Sequence, residues 1–195
     1  MFFERSPGQT NYTVAHYRPF LKVDCFYYRM KDLKPSVWMK DIKIAYDPAG
    51  MLKNCKNLSA RHSYRMTEEE FFIWQGKLFA YFHEVYRRAM RDEESYVHTL
   101  IIGLKWLIAA GWYIEKGIQP NSFGDWSKIE GERSPLEAFQ LKLLENWRIG
   151  SNASGNLETI RKMVPAARRV HRSLCMRINQ PGQVHKIDEV LELIL

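Results

Sequence analysis

The spacing of apolar residues changes character near residue 66. Before it, residues 20–28 (FLKVDCFYY) alternate: Leu21, Val23, Cys25 and Tyr27 fall on one side, Lys22 and Asp24 on the other. That period of two, in β-forming residues, marks a half-buried strand. Residues 37–46 (VWMKDIKIAY) repeat it weakly, with Ile42 and Ile44 facing away from Asp41 and Lys43. A polar connector containing Lys34-Pro35-Ser36 separates the two, and together they predict a small two-stranded element. A lone pair of strands is marginal in water, so it must lie on the helices or on a partner. Residues 1–19, with Pro7, Gly8 and Pro19, read as irregular, and Asp47-Pro48-Ala49-Gly50 reads as a turn.

After residue 66 the period becomes helical. Thr67-Glu68-Glu69-Glu70 has the form of a capping box, with Met66 and Phe71 placed as a hydrophobic staple. Phe71, Trp74, Leu78, Phe82, Val85 and Ala89 then recur every three or four residues. A second helix opens at Asp92-Glu93-Glu94-Ser95 and runs to Lys116, with Gly117 as its terminating glycine. It is apolar nearly all round, which predicts the central helix of a bundle, and Gly103 and Gly111 predict close approach of a neighbour. Val97–Ile114 is interrupted by His98 and Lys105 and falls short of the ~20 apolar residues of a membrane span. Ser134-Pro135-Leu136-Glu137 starts a third helix, stopped at Gly150. Residues 150–156 (GSNASGN) read as a flexible connector, 157–178 as a further helix, and 186–195 as a short amphipathic tail. The fold expected is mainly α: a helical bundle over 67–195, preceded by a basic extension over 1–66 with a small N-terminal two-stranded β element.

Composition narrows the chemistry. Cys25, Cys55 and Cys175 are too scattered for a disulfide framework or a metal site. The start of the chain has no apolar leader region, so an intracellular location is expected. No cofactor and no metal are expected: His83-Glu84 lacks the second histidine of a metalloprotease helix, and Gly150–Gly155 lacks the Lys-Ser/Thr of a phosphate loop. The net charge is +7, and it is unevenly spread: +7 over residues 1–66, −3 over 67–150 and +3 over 151–195. Such asymmetry points to a polyanionic partner or an acidic protein face.

Two regions carry that charge. On the last long helix, at about 100° per residue from Arg161, Arg168 and Arg172 fall within about 20°, Arg169 near 80° and Lys162 near 100°. The apolar set Ile160, Met163, Ala167, Val170, Leu174 and Ile178 centres near ~240°. Arg161, Lys162, Arg168, Arg169, Arg172 and Arg177 are therefore candidates to bind phosphate, since a guanidinium fork donates two parallel hydrogen bonds to an oxyanion. The same stripe also fits a solvated face, or salt bridges to the acidic middle of the chain. The second region spans residues 18–65, with Lys40 and Lys43 among its cations and Tyr17, Phe20, Phe26, Tyr27, Tyr28 and Trp38 between them. Cations on phosphate and rings on bases hold single-stranded nucleic acid; equally, the rings could form the core beneath the strands.

One short segment bears on catalysis. Arg91-Asp92, followed at His98 by a histidine, resembles the Arg…His signature of HEPN ribonucleases, which are helical. The resemblance covers eight residues, and it implies Arg91 and His98 acting on RNA at a dimer interface from one helix face.

The expectation is a non-enzymatic protein that associates with nucleic acid, RNA rather than DNA, of the kind found in viral or organellar ribonucleoprotein assemblies. The alternative is a scaffold subunit that self-associates or docks a protein or an anionic membrane surface. It would use Ile187, Val190, Leu191 and Ile194 of the tail, helped by Phe123 and Trp126. A HEPN-like ribonuclease is the second alternative.

Overall fold

A computed structural model describes the backbone of residues 2–4 and 12–194, with side chains from residue 12 onward. The chain divides into two units, residues 1–62 and 63–195.

In the first unit, strands β1 (Phe2–Glu4), β2 (Tyr12–Tyr17) and β3 (Leu21–Phe26) form an antiparallel sheet in that order. β2 and β3 pair without interruption from Tyr12↔Phe26 to Tyr17↔Leu21. The connecting turn holds a cis Arg18–Pro19 bond and Phe20 at φ 72°. Val14 and Ala15, on opposite faces of the central strand, are buried, whereas every residue of β3 is exposed.

The β element is present, and its β3 falls inside 20–28, but the second strand is not 37–46. Its place is taken by Tyr12–Tyr17, in the stretch read as irregular. Val37–Met39 forms a 3₁₀ turn, and the rest of 37–46 packs on a helix that the sequence pattern did not reveal, α1 (Met51–Ser59). The Ser36 amide donates to Ser59 Oγ at 3.1 Å, and Lys56 Nζ donates to the Ile42 carbonyl at 2.8 Å. The alternation of Ile42 and Ile44 thus reflects a loop lying along α1.

The second unit is a helical bundle: α2 (Glu68–Ala89), α3 (Glu94–Glu115), α4 (Ala138–Asn146), α5 (Ala153–Arg177) and α6 (Lys186–Leu191). The Thr67 capping box forms in full: Thr67 Oγ1 accepts the Glu70 amide at 3.1 Å, and Glu70 Oε2 accepts the Thr67 amide at 2.8 Å. All six residues of the stripe on α2 are buried. α3 is the central helix, packed on both α2 and α5. By length and composition it could cross a membrane, yet 78% of its most apolar window lies inside the bundle. Its glycines serve two neighbours. A Cβ on Gly103 would collide with the Tyr81 ring of α2, and one on Gly111 with Val170 of α5. Gly117, at φ 71°, ends the helix as its sequence implies.

Several boundaries differ: α4 ends at Asn146, short of Gly150, α5 begins at Ala153 rather than 157, and α6 ends at Leu191. α4 starts at Ala138 rather than Ser134, because Ser134 Oγ bonds the Ile129 carbonyl and Glu137–Gln140 supplies the capping box. GSNASGN is not a flexible connector. Asn152 caps α5 by accepting the Gly155 amide at 2.8 Å, and Asn156 Oδ1 accepts the Gly150 amide at 2.9 Å. The two glycines lie so close that a Cβ on Gly150 would collide with the backbone of Gly155.

Candidate nucleic-acid interface

α5 buries Ile160, Met163, Val164, Ala167, Val170 and Leu174 and turns its cations outward, as its periodicity predicts. Pro165 sits on that exposed side, where a carbonyl deprived of its helical donor can be met by water. The cations, however, are mostly engaged by the chain itself. Arg169 Nη2 lies 2.6 Å from Glu115 Oε2, and Arg168 Nε lies 2.7 Å from Asp188 Oδ1. Arg161 and Lys162 both approach Glu158, at 3.9 and 3.6 Å. Arg177 donates to the carbonyls of Ile114 and Glu115, closing the C-terminal end of α3. Of the six candidates only Arg172 is exposed without such a partner among the described residues.

The first unit presents a different surface. Residues 1–62 hold eleven Lys/Arg against five Asp/Glu, while residues 63–195 hold eighteen against seventeen. Six of the seven net positive charges therefore belong to the smaller unit. There Arg29 pairs with Asp32, Lys22 with Asp24, and Lys56 bonds a carbonyl. Among the described residues the side chains of Arg18, Lys31, Lys34, Lys40, Lys43, Lys53 and Arg61 have neither ion pair nor hydrogen bond. Lys43 is exposed and Lys40 half-buried.

The described rings of this unit are mostly exposed and form no core. Phe26 is 60% exposed, Tyr28 70%, Trp38 58% and Tyr46 80%, and Phe20 projects fully from the β2–β3 turn. Tyr12 and Phe26 stack at 5.6 Å across the hairpin. Tyr28, Trp38 and Tyr46 line a groove of about 800 Å³ together with Arg29 and Lys34. Asp32 and Asp47 line the same groove, and Arg29 is paired with Asp32. Exposed rings and unpaired cations within one unit are the two elements that a polymer of phosphates and bases requires. The sequence contained this region, but residue types alone could not say which rings were exposed.

The remaining candidates fall elsewhere. Ile187, Leu191 and Ile194 are 1–4% exposed and belong to the core of the bundle, with Val190 packed against it. The tail is therefore a structural element, because its apolar stripe already has a partner in α2. Phe123 packs edge-on against Tyr81 and Trp106, under the Lys77 ammonium at 4.0 Å, and Trp126 is half-buried. Arg91 and His98 do not share a helix. Arg91 lies in the turn between α2 and α3, with Asp92 at φ 56°, and α3 starts only at Glu94. The common helix face on which the ribonuclease resemblance depends is not formed. His98 Nε2 is buried without a hydrogen-bond partner among the described residues. No group of three or more His, Cys, Asp or Glu among the described residues is placed to hold a metal ion.

The bundle does contain a polar cluster that periodicity did not reveal. His171 is fully buried between the Phe71, Trp74 and Phe79 rings, at centroid distances of 5.3–6.3 Å. Gln75 Nε2 and His171 Nε2 are 2.8 Å apart, an arrangement in which the amide donates and the ring proton sits on Nδ1. Burial pushes the imidazole down to about 4 and the neighbouring Cys175 thiol up to about 11, so both are neutral at physiological pH. A neutral, enclosed pair of this kind has no access to substrate and serves packing.

No protein-family model, curated protein or solved structure matches this chain.

Proposed function

We propose that the protein associates with nucleic acid, single-stranded RNA foremost, through its N-terminal unit rather than through α5. The lysines and arginines of residues 18–61 neutralise phosphates, and exposed rings such as Trp38, Tyr28 and Tyr46 meet unstacked bases. The observation that carries this reading is the partition of charge: the smaller unit holds almost the whole excess, much of it on side chains without internal partners. The bundle is close to neutral, with eighteen Lys/Arg against seventeen Asp/Glu. Membership of a larger viral or organellar nucleoprotein assembly belongs to the same proposal.

Counterion release makes such binding steeply salt-dependent; neutralising six phosphates of a single strand costs roughly 300-fold in affinity between 50 and 200 mM salt. Fluorescence anisotropy of a labelled single-stranded RNA across that range tests it. A steep linear decline on logarithmic axes is expected, and an affinity that is flat or undetectable at low salt rejects the proposal.

A further inference from the structure

Among the described residues the outer edge of β3 has no partner strand. The strand pairs there only with β2, runs six residues without bulge or proline, and is exposed at every position. Its backbone donors and acceptors on that side are open, and proteins seldom leave a regular edge of this length unguarded. The usual safeguard, a charge turned against an incoming strand, takes an unusual form here. One face carries Leu21, Val23 and Cys25; the other carries Lys22 and Asp24 on either side of Val23, joined to each other at 3.3 Å.

We propose that this edge is completed by β3 of a second copy of the chain, antiparallel, with Val23 opposite Val23 on a two-fold axis. In this register Lys22 of each copy faces Asp24 of the other, and Leu21 faces Cys25, so both faces match. Directly opposed cross-strand pairs of opposite charge are favourable, and like charges are not. The neighbouring registers fail this criterion. Centring the axis on Lys22 sets two ammonium groups against each other, and centring it on Asp24 sets two carboxylates together. Registers that would set Val23 against Asp24 or Lys22 against Val23 are closed to a two-fold pair, because neighbouring residues point to opposite faces of the sheet whereas directly opposed residues share one. Parallel pairing in register opposes every charge to itself. The chemistry of Leu-Lys-Val-Asp-Cys is thus self-complementary in one arrangement, an isologous pairing as a two-fold dimer requires. The outcome is one sheet of double width, which covers the open β3 edge of each copy and draws the two basic surfaces into one assembly.

Sedimentation equilibrium of the full chain without nucleic acid is the test. Wild-type protein is expected to approach twice the monomer mass at its highest soluble concentrations. Lys22→Glu and Asp24→Lys should each remain monomeric, because each opposes like charges in its own homodimer. An equimolar mixture of the two should regain the dimer, because every opposed pair is then complementary. Both positions are exposed, and circular dichroism shows whether each variant keeps the wild-type fold. In a Cys25→Ser background, Val23→Cys should crosslink to its own counterpart under mild oxidation. Wild-type protein that stays monomeric throughout overturns the proposal, as does a dimer indifferent to both charge reversals. Reversals that abolish association without recovery on mixing also overturn it. Since no nucleic acid is present, none of these outcomes depends on the RNA-binding reading.

Discussion

Arg169 reaches across the α3–α5 interface to place Nη2 2.6 Å from Glu115 Oε2, and further along α5 Arg177 Nη2 donates to the Glu115 carbonyl. The basic side of α5 is in this way turned onto the C-terminal end of α3, where the helix dipole leaves partial negative charge. A stripe that resembles a phosphate-binding face in projection is in large part paired within the chain: Arg169 and Arg177 fasten α5 to the end of α3, Arg168 pairs with Asp188, and Arg161 and Lys162 approach Glu158.

Replacement of this stripe should therefore leave nucleic-acid binding almost untouched. Arg168→Gln/Arg169→Gln/Arg172→Gln is expected to keep the salt dependence of RNA affinity. Lys31→Gln/Lys34→Gln/Lys40→Gln/Lys43→Gln is expected to flatten it, by about 0.7 in the logarithmic slope for each phosphate of the single strand that is no longer neutralised. Anisotropy titrations at several salt concentrations read both slopes. The opposite ranking would return the site to α5.

Gly111 offers a test of the bundle itself. A methyl group there collides with Val170. Alanine gains about 1 kcal/mol in helix propensity over glycine, and overpacking a filled core costs about 1–3 kcal/mol. Gly111→Ala is expected to lower stability by a net amount on the order of 1 kcal/mol. Val170→Ala in the same molecule should give back part of the loss, with a coupling above about 0.5 kcal/mol. Urea denaturation of the two single variants and the double variant measures that coupling.

Much of the bundle was legible because its signals are local. Thr67 and Glu70 lie three residues apart, the apolar stripe of α2 repeats every turn, and Gly117 marks its own helix end. What could not be read depends on residues distant in the chain. Ile42 and Ile44 alternate like a strand, yet hydrogen bonds with Ser59 and Lys56, on a nine-residue helix that has no side-chain N-cap to announce it, hold their loop. Val190 and Leu191 read as a docking stripe because nothing in ten residues of tail reveals that α2 already covers it. The same holds for the candidate interface. Arg169 and Lys43 are equally cationic in sequence; only the position of Glu115, 54 residues away from Arg169, separates a structural guanidinium from an unpaired ammonium.

The capping box at the start of α2 predicts a modest, separable loss. Thr67→Ala removes the oxygen that accepts the Glu70 amide. Loss of such a cap costs about 1 kcal/mol. The denaturation midpoint should fall accordingly with an unchanged slope, since the compactness of the folded and unfolded states is unaffected. Thr67→Ser, which retains the acceptor, should restore most of it.

His171 makes the core of the bundle sensitive to acid. In the folded chain its imidazole titrates near 4, held neutral by burial among three aromatic rings. In the unfolded chain it returns to about 6.5, so between these values the unfolded state binds the extra proton. A group whose folded pKa is depressed contributes stability above the unfolded pKa, and that contribution is lost as pH falls toward the folded value. The loss should begin near pH 6.5 and approach about 3 kcal/mol by pH 4, at 1.36 kcal/mol per unit of displacement. Replacing only the imidazole would strand the Gln75 amide, so the informative variant is Gln75→Leu/His171→Leu, which removes both polar partners together. Urea denaturation at intervals from pH 7.5 to 4 should show wild-type stability falling across that window and the double variant falling less by the histidine's share. Equal slopes for the two proteins would mean that the ring takes up its proton without leaving the core.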